Sequence, residues 1–167
     1  MTAALYPLPL QEGANNPNVN MVQYFLQTLK LYPEPIDGIF GPKTKEAVLK
    51  FQAAYGLIED GIVMEETAIA LDIEARAAQK PVIKEGSTGE VVKEFQEIYN
   101  QQHGTLTVDG VFGAKTKEAA IKFQQSQGLT ADGIVGAKTW SSLYTLGMHP
   151  GTPVAARINL IFNVSDC

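Results

Sequence analysis

The sequence predicts an all-α protein, two tandem three-helix units followed by an extended C-terminal β-strand tail. Three observations predict it. The stretch from Ile36 to Asp72 recurs from Val108 to Tyr144 without a gap, with 20 of 37 positions identical, the mark of a duplicated structural unit. Within each copy, apolar residues fall three and four apart between helix-start and helix-stop signals, the period of amphipathic helices. After the second copy, Ala156 to Val164 alternates apolar and polar residues, a period of two that belongs to a strand.

The chain divides into an extended, proline-containing arm over residues 1–17, a first unit over 18–80, a second over 81–146, and a tail over 147–167. Val19, Val22, Leu26 and Leu29 form the stripe of the first helix; Val92, Phe95 and Tyr99 form that of its counterpart. Gln23 and Gln96 match, but the run to the next Asp-Gly is one residue longer in the first copy. That slack belongs in the loop holding Tyr32, Pro33 and Pro35. The second helix of each unit starts at Gly41-Pro42-Lys43-Thr44 or Gly113-Ala114-Lys115-Thr116, and Pro42 suits a first helical position, where its missing N–H costs nothing. Ala47, Phe51 and Tyr55 share one face, as do Ala119 and Phe123, before Gly56 and Gly128, where left-handed caps are expected. Third helices are expected over 65–79 and 137–145. In the tail, Ile158, Leu160, Phe162 and Val164 face one way. The helical units offer them no sheet edge, so residues 156–164 are expected to add a strand to another protein subunit, a copy of this chain or a different one, by β-augmentation.

Composition narrows the function. A net charge of −5 with scattered basic residues argues against nucleic acid, whose phosphates require clustered Lys and Arg. Cys167, the only cysteine, is the last residue, which leaves no disulfide framework and no thiolate cluster. The opening MTAALYPLPL has no basic n-region, and prolines interrupt its apolar run, so it does not read as a signal peptide. No apolar stretch is long enough for membrane insertion. The expectation is a protein made in the cytoplasm without a classical signal peptide.

The repeated string has the form D-G-x-F-G-x-K-T-K-E-A, then F-Q, G-L and D-G-I-V. In the second copy the residues are Gly86, Gly89, Val92, Gln96, Asp109-Gly110, Phe112-Gly113, Thr116, Ala119, Phe123-Gln124, Gly128-Leu129, Asp132-Gly133, Val135-Gly136 and Thr139-Trp140. The first copy repeats them from Val19 to Thr67, departing at Met64 for Gly136 and Ala68 for Trp140. This pattern resembles the peptidoglycan-binding domain family, a three-helix wall-targeting module found beside bacterial hydrolases. The resemblance implies a non-catalytic binding module for peptidoglycan, acting at the bacterial cell wall and anchoring or positioning a larger assembly. The alternative is a structural subunit of a phage tail or contractile injection machine that uses the fold as scaffold.

Candidate ligand residues follow from chemistry. Gln23, Gln52, Gln96 and Gln124 carry amides that both donate to and accept from acetamido sugars or stem peptides. Lys43 and Lys115 could meet a peptide carboxylate, Asp109 a donor, and Trp140 could stack on a sugar. Ile39-Phe40 and Val111-Phe112 are expected to tuck their loops into the core. Loss of glycine and indole in the first copy puts binding mainly in the second unit. No enzyme is expected. The two histidines, His103 and His149, lie in Gly- or Pro-rich turns without metal-ligand spacing, and no Cys–His pair could form around a terminal Cys167. No cofactor and no metal are implied.

Overall fold

The computed structural model describes residues 8–104 and 106–145. The expected strand with Ile158, Leu160, Phe162 and Val164 lies outside these residues, as do His149 and Cys167. The described residues form six helices: α1 (Pro17–Thr28), α2 (Pro42–Tyr55) and α3 (Glu65–Gln79), then α4 (Glu90–His103), α5 (Ala114–Ser126) and α6 (Ala137–Tyr144). Their extended backbone pairs only through isolated bridges.

Local chemistry sets the helix ends. The Asn16 side chain accepts the Asn18 N–H at 3.0 Å, with Pro17 at the first helical position of α1. Gly56 closes α2 at φ 67°, and Gly128 follows α5 at φ 65°, both left-handed. The N–H of the residue after each glycine then reaches back, from Leu57 to the Gln52 carbonyl at 2.9 Å and from Leu129 to the Gln124 carbonyl at 2.8 Å. Gly104 caps α4 in the same conformation, at φ 63°. After α1 the left-handed position is held by Lys30, at φ 61°.

The interiors correspond position for position. Val19, Val22, Leu26, Phe40, Ala47, Phe51, Val63 and Leu71 are buried in the first unit; Val92, Phe95, Tyr99, Phe112, Ala119, Phe123, Val135 and Leu143 are their counterparts in the second. The largest difference is Ala68 against Trp140, both buried. The indole meets Phe95 edge-on with centroids 6.2 Å apart, and its N–H reaches the Pro81 carbonyl at 3.3 Å. The first unit makes up helix length instead: α3 has 15 residues and α6 has 8.

One expectation needs correction. The segment read as an extended arm ending at residue 17 is part of the first unit from Leu10 onward. Leu10 is 1% exposed and belongs to the core. Its N–H donates to the Val63 carbonyl at 3.1 Å, and the Val63 N–H returns the bond at 2.8 Å. Ile83 and Val135 exchange the same two bonds at 3.1 and 2.8 Å. Gly13 and Gly86 then donate to the Phe40 and Phe112 carbonyls, both at 2.9 Å. Lys45 pairs with Glu12 and Lys117 with Glu85. Leu10 and its successors are therefore the first-copy equivalent of the opening at Ile83. The prolines suggested a tether, whereas the pairing that holds the segment comes from Val63, far along the chain.

Candidate functional site

The four glutamines expected to touch ligand organise four loops of one design. Gln96, on α4, is 1% exposed. Its Oε1 accepts the N–H groups of Asp109 at 3.1 Å and Gly110 at 2.9 Å. Its Nε2 faces Asp109 Oδ1 at 2.9 Å, the Val111 carbonyl at 3.2 Å and Thr116 Oγ1 at 3.2 Å. Donors surround the carbonyl and acceptors surround the amide nitrogen, so the network fixes the orientation of the amide. Asp109 also accepts the Val111 N–H at 2.8 Å, the local turn an Asp-Gly pair favours. Gly110 sits at φ 72°, and a Cβ there would lie 3.2 Å from the Gly89 carbonyl. Glycine is required at that point.

The same latch closes three more times. Gln23 holds Asp37-Gly38 and faces Thr44. Gln52 holds Gly61 and faces Asp60 and Thr67. Gln124 holds Gly133 and faces Asp132 and Thr139. The underlying repeat is thus half a unit: a helix bearing Gln, then D-G-[IV]-[FV]-x-x-x-T. The spacing was present in the sequence four times, but the longer duplication hid it.

These contacts correct the expected ligand set. Gln23, Gln52, Gln96 and Gln124 are all within 1% of full burial, and their amides are spent on the loops. Trp140 is 0% exposed, enclosed by Phe95 and Tyr144, and has no free face for a sugar. Burying these groups with internal partners costs least, which is why they form the interior and leave no surface for a ligand. The paired expectation for Ile39-Phe40 and Val111-Phe112 holds for one member only. Phe40 and Phe112 are buried, while Ile39 and Val111 are each 49% exposed, because consecutive side chains on extended backbone point to opposite faces.

What reaches solvent is the outer rim of each loop. Asp37, Asp109 and Asp132 are exposed, as are Lys43, Lys115 and Lys138. A donated hydrogen bond from Gln23, and then the Ile39 N–H, hold the Asp37 carboxyl below the usual aspartate range; Gln96 and the Val111 N–H do the same for Asp109. Lys43 is already paired with Glu34 at 2.6 Å, and that carboxylate holds its ammonium above the usual lysine range. Lys115 and Lys138 have no ion-pair partner among the described residues. Shallow grooves cross two of the four loops at matching positions. One is lined by Tyr32, Pro35, Ile39, Pro42 and Lys43; the other by Val82, Leu129, Ile134, Ala137 and Lys138. His103 ends α4, exposed, its ring 4.7 Å from that of Tyr99.

The sequence profile described as "Putative peptidoglycan binding domain" matches residues 15–71 and 88–143, one segment in each unit. The N-acetylmuramoyl-L-alanine amidase CwlL of Bacillus licheniformis is 39% identical over 69 residues, which are 38% of this chain and 18% of that protein. The amidase CwlA of Bacillus subtilis (strain 168) is 40% identical over 58 residues, 31% of this chain and 20% of that protein. The match therefore spans a fifth or less of either amidase. A crystal structure of a peptidoglycan-binding protein from Clostridioides difficile, in complex with glutamine hydroxamate, is 39% identical, covering 40% of this chain and 42% of that one with a TM-score of 0.39.

Proposed function

The chain belongs to the peptidoglycan-binding domain family, and from that premise we propose that it is a non-catalytic module that binds the bacterial cell wall and positions a larger assembly there. The observation that carries the reading is the family match in both units, over 15–71 and 88–143. The likeness to the two amidases supports it in a narrower way. Their aligned stretches of 69 and 58 residues are the size of one unit, which favours a shared targeting element over shared catalysis.

Lys115, with Asp109 and Val111 on the same loop, is the proposed contact surface around α5; Lys43 is its weaker counterpart, because Glu34 already neutralises it. Two weak sites carried on one chain would gain from avidity on a repetitive polymer. The test is co-sedimentation of the whole protein with purified sacculi, with soluble muropeptides measured in the supernatant. Retention in the pellet without muropeptide release is the expected result. Protein that stays in the supernatant at low salt would overturn wall binding, and protein-dependent muropeptide release would overturn the non-catalytic reading.

A further inference from the structure

The four loops share one scaffold, but their rims differ in charge, and the difference points to a ligand. In the second unit a groove runs over the loop before α6, lined by Val82, Leu129, Thr130, Ile134 and Lys138. Val82 is 62% exposed and Ile134 41%, so apolar surface faces water on both sides of it. Lys80, Lys93, Lys117 and Lys122 of this unit are all in ion pairs. Lys138 is exposed and has no such partner among the described residues. The acid in the groove, Asp132, turns Oδ1 inward, toward Gln124 Nε2 at 3.1 Å and the Ile134 N–H at 2.8 Å.

The first unit carries the reverse. At the positions of Gly136, Ala137 and Lys138 it has Met64, Glu65 and Glu66, and Ile58-Glu59 stand where the second unit has Thr130-Ala131. The latch beneath is the same in both, with Gly61 on Gln52 and Gly133 on Gln124, each at 2.9 Å. One backbone thus presents a cation beside an apolar floor in one unit and a cluster of carboxylates in the other.

We propose that the Val82–Ile134–Lys138 groove binds the carboxylate end of a wall stem peptide, with Lys138 on the carboxylate and the apolar floor against small side chains such as the methyl of alanine. The proposal rests on the wall-binding reading and names the part of the wall this groove takes. A neutral glycan strand would leave Lys138 unused. A phosphodiester wall polymer shares the charge but presents no free carboxylate beside an alanine methyl.

The experiment uses the full chain and four probes: a synthetic stem pentapeptide ending in D-alanyl-D-alanine, the same peptide amidated at its C-terminus, a neutral N-acetylglucosamine oligomer without lactyl carboxylates, and inorganic phosphate. Binding is followed by amide chemical shifts and titration calorimetry, alongside sacculus co-sedimentation. The free-acid peptide is expected to shift Val82, Ile134 and Lys138, and to bind about tenfold more tightly than the amidated peptide, the size of one charge contact. Lys138→Gln should bring both peptides to the same weak affinity with the helical circular dichroism unchanged, and Glu66→Lys should leave the second unit's shifts as they were. Equal affinity for the two peptides, shifts away from the groove, or tighter binding of glycan or phosphate would each overturn the proposal while sacculus binding persisted. Loss of sacculus binding by the wild-type chain would instead overturn the wall-binding reading, and this proposal with it.

Discussion

The side-chain carbonyl of Gln96 accepts the N–H of Gly110 at 2.9 Å, which joins α4 to the loop that precedes α5 through one buried amide. A backbone group in a left-handed turn has no helix or sheet partner of its own, and here a side chain from the previous helix supplies one. Gln96→Ala would strand the N–H groups of Asp109 and Gly110 together. We expect a loss of about 2–4 kcal/mol from unsatisfied polar groups, read as a lowered urea midpoint of the second unit. Gln101→Ala, at an exposed position on the same helix, should change it by less than about 0.5 kcal/mol. Equal effects of the two substitutions would refute the latch as a stabilising element.

Trp140 is the only tryptophan and is buried in the second unit's core, so its fluorescence reports that core directly. Its emission should be blue-shifted, poorly quenched by iodide, and unchanged when sacculi are added. Trp140→Ala should cost about 3–5 kcal/mol through the cavity it leaves. Any loss of wall retention should follow the unfolded fraction. A red-shifted, readily quenched tryptophan would contradict the interior placement.

Acid should loosen the loops through Asp37 and Asp109. Both carboxyls are held low in the folded protein, first by the glutamine amide and then by a backbone N–H. The unfolded chain therefore takes up protons before the folded one as pH falls. Their contribution is complete above the ordinary aspartate range, near about pH 4, and is lost as pH drops through the folded values. The double substitution Asp37→Asn, Asp109→Asn keeps an oxygen for the Ile39 and Val111 N–H groups. It should narrow the difference in Tm between pH 7 and pH 3; an unchanged difference would refute the assignment.

Lys30 occupies a left-handed conformation at φ 61°, where a Cβ costs about 1–2 kcal/mol and glycine's greater freedom when unfolded returns about 0.5–1 kcal/mol. Lys30→Gly should therefore stabilise the first unit by about 0.5 kcal/mol, seen as a small rise in its urea midpoint. A fall in that midpoint would show that the lysine side chain makes a contact outweighing the strain.

Helix positions and caps were legible because they depend on neighbours. Gly56, Gly128 and Pro42 each act within one turn of where they stand, and the expected span of α3 from residue 65 to 79 matches the observed helix. The glutamines were misread because their partners lie 8 to 21 residues away in sequence, so nothing local distinguishes a buried amide from an exposed one. Leu10 was missed for the same reason, since its partner Val63 arrives only after two helices. The outward turn of Ile39 and Val111 was in principle readable, as extended backbone alternates its faces, but an apolar pair after Asp-Gly looks like core when alternation is ignored. The charge reversal between Glu66 and Lys138 was visible as a mismatch in the duplication. Its meaning depended on knowing that each position lies at the rim of the matching loop in its own unit.

The alternation in each loop separates inheritance from variation. Phe40, Val63, Phe112 and Val135 lie in the interior, while Ile39, Ile62, Val111 and Ile134 beside them are held in place by bonds their side chains do not make. A substitution at an outward position leaves the amide latch and the anchoring neighbour as they were. Each loop is then free to diverge by single steps, with no compensating change in the interior and no consequence for the other three. The passage from Gly136-Ala137-Lys138 to Met64-Glu65-Glu66 over an unaltered glutamine latch is that kind of divergence, preserved within one chain.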